Sequence, residues 1–269
     1  MLIEKNYVFA VLAILVVATT DAVGSLLGFW FAPETAGNKM WVIKGLLLLA
    51  LVLLSFSVKR WVYQQTSDGF YRKVAWLSLL SLLVCLGGDI TNANFSETFY
   101  RYDGVVKHDY LADSVMFFGP GYLLLLINGA LVTRRNGIKP TVIGQFILAG
   151  VLAGALSIFI MHIPGTGVFV KTMTSIYAAL IGAVGLLGIL LIHSFGGIRA
   201  SKGVWMVGFG FMLAAIADAV IGHFWIYGNG GQGYYPDVRH VNWILYAASQ
   251  AMVIYLPFVL VSHEKGKTA

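Results

Sequence analysis

The 269 residues are 58% hydrophobic and only 11% charged, with a mean hydropathy of +0.80. A soluble domain carries about 25% charged residues, so the composition excludes a water-soluble globule and points to an all-α, polytopic membrane protein. The net charge of +6 is scattered over short loops rather than gathered on one face, which argues against nucleic acid as a partner. The single cysteine, Cys85, excludes an intrachain disulfide and a cysteine-based metal site.

Apolar runs of about 20 residues cross a bilayer as helices. Eight are predicted, over 7–31, 41–58, 74–94, 112–133, 141–162, 172–194, 203–226 and 240–262, within a single membrane domain covering 1–269. The first run contains Asp21 and is too long for a signal peptide, so it reads as a retained helix. Thr19 and Thr20 flank Asp21 and offer it local hydrogen-bond partners. Lys44 opens the second span, placed either to neutralise a carboxylate, to meet an anionic head group or to reach the interface. Asp89 closes the third span. Asp113 opens the fourth as an expected N-cap. Asn128 and Gln145 are polar residues expected to join helices. Asp218 lies within the seventh span, and the glycine and proline placement predicts no helix broken near the midplane.

Twelve of the 18 Lys and Arg residues fall on one side of these spans: Lys5, Lys59, Arg60, Arg72, Lys73, Arg134, Arg135, Lys139, Arg199, Lys202, Lys265 and Lys267. The positive-inside rule then places both termini in the cytoplasm. The expected setting is a bacterial inner membrane crossed several times, with the aromatic-rich loops 95–111 and 227–239 outside. In this orientation Asp21, Asp89 and Asp218 all fall in the outer halves of their helices. Ionisable residues at membrane depth face a bundle interior or a wet cavity and mark functional sites by default.

The third span ends Asp89-Ile-Thr-Asn-Ala-Asn94-Phe95 and the seventh ends Asp218-Ala-Val-Ile-Gly-His223-Phe224. Each is followed by a long loop and another span. The pattern predicts a 4+4 parallel internal repeat, 1–133 and 141–262.

Two carboxyls sharing a low-dielectric site divide into proton donor and proton acceptor, the arrangement that hydrolysis by general acid and base needs. Asp89 and Asp218 are the predicted catalytic pair, and Asp21, Lys44 and His223 are predicted substrate-binding residues. His162 and His223 lie on the same outer side as the acids. No HExxH, CxxC or close histidine spacing is present, so no metal and no cofactor are expected. The partners expected are membrane lipid and a small amphiphilic substrate or ligand; oligomeric state is left open.

The order of Asp21 in span one, Lys44 opening span two, Gly88-Asp89, Tyr177 in span six and Ala217-Asp218 resembles the lysoplasmalogenase-like membrane proteins. The resemblance implies eight helices and hydrolysis of the vinyl-ether bond of a lysoplasmalogen to an aldehyde and a glycerophospho-base. It implies essential acids at Asp89 and Asp218 and adds Tyr122 and Tyr177 as substrate-binding residues. The chain departs from that pattern at Lys44-Gly45, where the family has Lys-Pro, and at Ala217, where it has Ser. The family's His and Tyr of the fourth helix become Gly119 and Tyr122. A second stretch, Gly88-Asp89 through Asp113 to Gly121-Tyr122, looks like the membrane sensor domains of diguanylate cyclases. Alternative functions are therefore a membrane-embedded ligand-sensing module without catalysis, or a small transporter.

Overall fold

The computed structural model describes residues 2–28, 39–93, 108–160, 168–222 and 236–268. The described residues form nine α-helices: α1 (Leu2–Leu26), α2 (Lys39–Gln65), α3 (Gly69–Ala93), α4 (His108–Arg135), α5 (Pro140–Ile160), α6 (Val168–Ser194), α7 (Lys202–Val220), α8 (Pro236–Val253) and α9 (Leu256–Thr268). No strand occurs among them. Helices are the expected solution, because a chain in hydrocarbon must satisfy its backbone N–H and C=O groups internally. Seven stretches are long and apolar enough to cross a membrane: Tyr7–Leu26, Val42–Gln65, Gly69–Thr91, Ser114–Arg135, Thr172–Ser194, Lys202–Val220 and His240–Lys265; α5 carries a shorter one, Pro140–Leu156.

Large hydrophobic side chains such as Phe9, Leu46, Leu53, Leu152 and Ile176 are exposed on the outer surface. Because both lipid and core are apolar, helix association relies on close packing and interhelical hydrogen bonds. The buried residues follow a spacing of alternately three and four. In α1 they are Tyr7, Val11, Ile14, Ala18, Asp21 and Ser25; in α2, Lys44, Leu48, Leu51, Ser55, Val58 and Val62. In α3 the same spacing runs through Tyr71, Ala75, Ser78, Leu82, Cys85 and Asp89. This is the seam of left-handed helix packing. The ionisable residues Asp21, Lys44 and Asp89 continue that seam.

α2, α3, α4, α6, α7 and α8 pack each on the next, and α9 packs against α3, α2 and α7. α1 lies against α8 and α2, and α5 lies against α6 and α4. Across the α5–α6 contact the backbones touch: a Cβ added to Gly154 would collide with the Ala178 carbonyl, and one on Gly182 with the Gly150 carbonyl.

The basic end is closed by short turns. The Asp68 side chain accepts from Phe70 N at 2.8 Å and caps α3, while Arg72 Nε donates to Thr66 O at 3.1 Å, just beyond the end of α2. Lys59 Nζ stands 3.5 Å from the Trp76 ring centroid, so α2 runs past the predicted 58 to Gln65, its charged residues held at the interface. After α4, Gly137 takes a left-handed conformation (φ 93°) and Ile138 N reaches back to Thr133 O.

Four expectations need correction. The eighth span is two helices, broken at residues 254–255. Pro257 has no N–H to give Val253 O and its ring crowds that carbonyl, so Tyr255 N shifts to Met252 O at 3.2 Å. Ala251 O is taken instead by the Tyr7 hydroxyl at 2.7 Å. A broken helix near midspan is therefore present. Asp113 is not an N-cap, since α4 begins at His108. Gln145 is exposed on α5 and joins no helix, whereas Asn128 does, donating to Val74 O at 3.1 Å and Ser78 Oγ at 2.8 Å. Thr19 and Thr20 do not serve Asp21: Thr20 Oγ1 donates to Val16 O, and neither Asp21 oxygen has a hydrogen-bond partner.

Gly154→Ala is expected to destabilise the bundle by about 1–3 kcal/mol through the clash with α6. Gly144→Ala, on the same helix with nothing within 4 Å, is expected to be neutral or slightly stabilising. Thermal unfolding in detergent micelles, read by circular dichroism, separates the two.

Candidate functional site

One end of the bundle collects the ends of α1, α3 and α7 and the starts of α2, α6 and α8. Asp21, Lys44, Asp89 and Asp218 lie within two turns of these ends, Tyr177 lies nine residues into α6, and Tyr122 and Tyr246 come from the middles of α4 and α8. Asp21 and Lys44 are each 2% exposed and Asp89 is 6% exposed, so three ionisable groups are withdrawn from both lipid and water. Asp218 and Tyr177 are half-buried.

Asp89 accepts a hydrogen bond on Oδ2 from the Tyr246 hydroxyl at 2.7 Å. Asp218 accepts on Oδ1 from the Tyr177 hydroxyl at 3.0 Å, while its Oδ2 is buried without a partner. The two carboxyls lie within electrostatic reach of one another. Tyr122, 1% exposed, is also within electrostatic reach of both, with its hydroxyl turned to the Asp218 carboxyl. Its ring packs against those of Phe118 and Tyr177, each at 6.4 Å between centroids. Phe118 in turn meets Tyr246 edge-on at 6.0 Å. Aromatic rings thus wall the carboxyl pair and fix the hydroxyls that point into it.

Two breaks in helix composition make room for this. Pro120 interrupts α4, flanked by Gly119 and Gly121. Gly121 presses on Cys85 Sγ, and its carbonyl accepts from Ser81 Oγ at 2.7 Å. The rings of Phe117 and Phe118 occupy the space over Gly87 and Gly88, where a Cβ would collide with them. Cys85, one helical turn before Asp89, is fully buried and free.

Lys44 faces two carboxyls. Asp21 and Asp89 both lie within electrostatic reach of it, and its Nζ stands 5.1 Å from the Trp243 ring centroid. It does not reach the interface. Among the described residues, no group of three or more His, Cys, Asp or Glu is placed to hold a metal ion.

The structure therefore brings together Asp21, Lys44, Asp89, Tyr122, Tyr177 and Asp218. His223 and His162 lie outside the described residues, as do the loop residues 94–107 and 223–235. Tyr246, Trp243, Phe118 and Ser25 were not legible as members of the cluster. For Tyr246 a signal did exist: it occupies the span after Asp218 as Tyr122 occupies the span after Asp89. Comparison of the chain with protein-family models, curated proteins and solved structures finds no match.

Tyr246→Phe leaves a buried carboxyl oxygen without its donor and is expected to destabilise the protein by about 1–3 kcal/mol. In a double-mutant cycle with Asp89→Asn, a coupling of about 1 kcal/mol or more is expected. The corresponding cycle of Tyr177→Phe with Asp218→Asn, at a longer and less buried bond, is expected to give less. Unfolding midpoints of the purified variants check both.

Proposed function

We propose that this protein is an intramembrane hydrolase of an amphiphilic lipid, with a lysoplasmalogen as the substrate class and Asp89 and Asp218 as acid and base. The observation that carries the reading is the meeting of two carboxyls from separate helices, each held by a tyrosine from another helix, inside an apolar bundle. The order of residues shared with lysoplasmalogenase-like proteins adds support.

In this reading Asp89 gives its proton to the alkenyl carbon remote from oxygen, and the neighbouring carbon becomes an oxocarbenium ion. Water adds there as its proton passes to the Asp218 carboxylate, held by Tyr177. The resulting hemiacetal loses its hydroxyl proton as its bond to the glycerol oxygen breaks. That oxygen takes up a proton, leaving an aldehyde and a glycerophospho-base; the net change is addition of one water. Lys44 meets the phosphate, and Tyr122 and Tyr177 orient the reacting carboxyl. Apolar helix walls around the cluster hold the hydrocarbon chain.

The same reading has the chain crossing the membrane eight times, with α5 as the fifth crossing and α8 and α9 together as the eighth. Both termini are cytoplasmic, and the two halves are parallel repeats. Support for the repeat comes from the exchange of partners between halves. Asp89 of α3 takes its tyrosine from α8, and Asp218 of α7 lies within electrostatic reach of a tyrosine from α4.

Asp89→Asn and Asp218→Asn are each expected to lower turnover of an alkenyl lysophospholipid by about 100-fold or more, the usual contribution of a general acid or base. Aldehyde release from purified protein in micelles is the measurement. Unchanged turnover in both variants rules the mechanism out.

A further inference from the structure

Asp21 stands apart from the carboxyl pair. It is 2% exposed, and both its oxygens lack hydrogen-bond partners. One helical turn further along α1, Ser25 is 9% exposed with its hydroxyl also unpartnered. Lys44 of α2, within electrostatic reach of Asp21, stands beside Trp243 of α8, which is 7% exposed with an unpartnered Nε1. Buried polar atoms left without partners are costly, and several in one place are where a ligand's polar groups belong. The charges are also unequal: Lys44 faces both Asp21 and Asp89.

We infer that Asp21, Ser25, Lys44 and Trp243 form a head-group site selective for a phosphodiester that carries a primary ammonium. Lys44 and the Trp243 indole N–H offer donors to the phosphate. Asp21 Oδ1, Asp21 Oδ2 and Ser25 Oγ offer three acceptors, the number an –NH3+ group can fill. A bare phosphate would engage Lys44 and leave Asp21 without a counter-charge. A trimethylammonium group would bring the charge but no N–H. Lys44 lies within electrostatic reach of both Asp21 and Asp89, so a phosphate held there stands near both carboxyls. This inference rests on the lipid-hydrolase reading for its ligand class, and it names the head group that the site accepts.

The test uses three saturated alkyl-ether lysophospholipids of one chain length, bearing phosphoethanolamine, phosphocholine or phosphate alone. None has an alkenyl bond, so binding is read without turnover, by titration of the full chain in micelles. Phosphoethanolamine is expected to bind about tenfold tighter than phosphate alone, the effect of one charge-assisted contact, with phosphocholine between them. Asp21→Asn is expected to abolish that preference while leaving affinity for the phosphate probe the same or higher. Ser25→Ala is expected to weaken only the ethanolamine probe, and it decides the matter if Asp21→Asn does not fold. Equal binding of the three probes, or a preference that survives in a folded Asp21→Asn or, failing that, is unmoved by Ser25→Ala, overturns the inference. A preference that depends on Asp21 in a protein that does not cleave alkenyl lipids leaves this site standing and removes the hydrolase reading.

Discussion

The packing seam carries the ionisable residues, and most of the molecule's organisation follows from that. A helix between lipid and an apolar core gains little by turning one apolar face or the other inward. A carboxyl or ammonium has a strong preference, since facing hydrocarbon is far costlier than facing other polar groups. Asp21, Lys44 and Asp89 each continue the three–four spacing of buried residues on their helices, so their solvation fixes the rotation of α1, α2 and α3 about their own axes. Glycines and serines along the seams then allow close approach. Ser81 reaches the Gly121 carbonyl at 2.7 Å and Ser249 the Gly210 carbonyl at 2.9 Å.

The same physics sets what was legible in the sequence. Span number and approximate bounds follow from hydropathy, and the depth of the three aspartates follows from the spans. The inward face does not follow, because the hydrophobic pattern has nearly the same apolarity all round and loses its period. Tyr246 was missed for this reason: a tyrosine ten residues into a span reads as an interfacial aromatic until its partner, Asp89, is known to lie across the bundle. Asp21 was assigned partners on its own helix because neighbours in sequence are visible and neighbours in space are not. Its neighbour Thr20 turns to its own backbone, as short hydroxyls in helices do. The break at 254–255 depends on a single proline, Pro257, and on the Tyr7 hydroxyl from a helix almost 250 residues away in sequence. Lys44 was legible as a basic residue opening an apolar span, whereas nothing in spacing alone separates Tyr177 from the other polar residues of its helix.

Depth within the bundle has a further geometric cause. α2 and α3 are joined by three residues, and so form a hairpin whose arms are measured from one turn. Lys44 lies 21 residues before Gln65 and Asp89 lies 20 after Gly69, so both stand about 30 Å from that turn. α6 and α7 form a second hairpin, in which Tyr177 lies 17 residues before Ser194 and Asp218 lies 16 after Lys202. Equal arms bring each acid level with its partner whatever the loops at the far end do. The capped turns at the basic end, with Asp68 on α3 and Ser201 on α7, hold the starting points of those arms. Precision at the polar end is therefore set some 30 Å away. An insertion or deletion of one residue inside an arm would both raise or lower its acid by about 1.5 Å and turn it by about 100° off the seam, into lipid. Changes of length in the connections at the polar end do neither, which leaves those connections able to vary while the carboxyl pair stays in register.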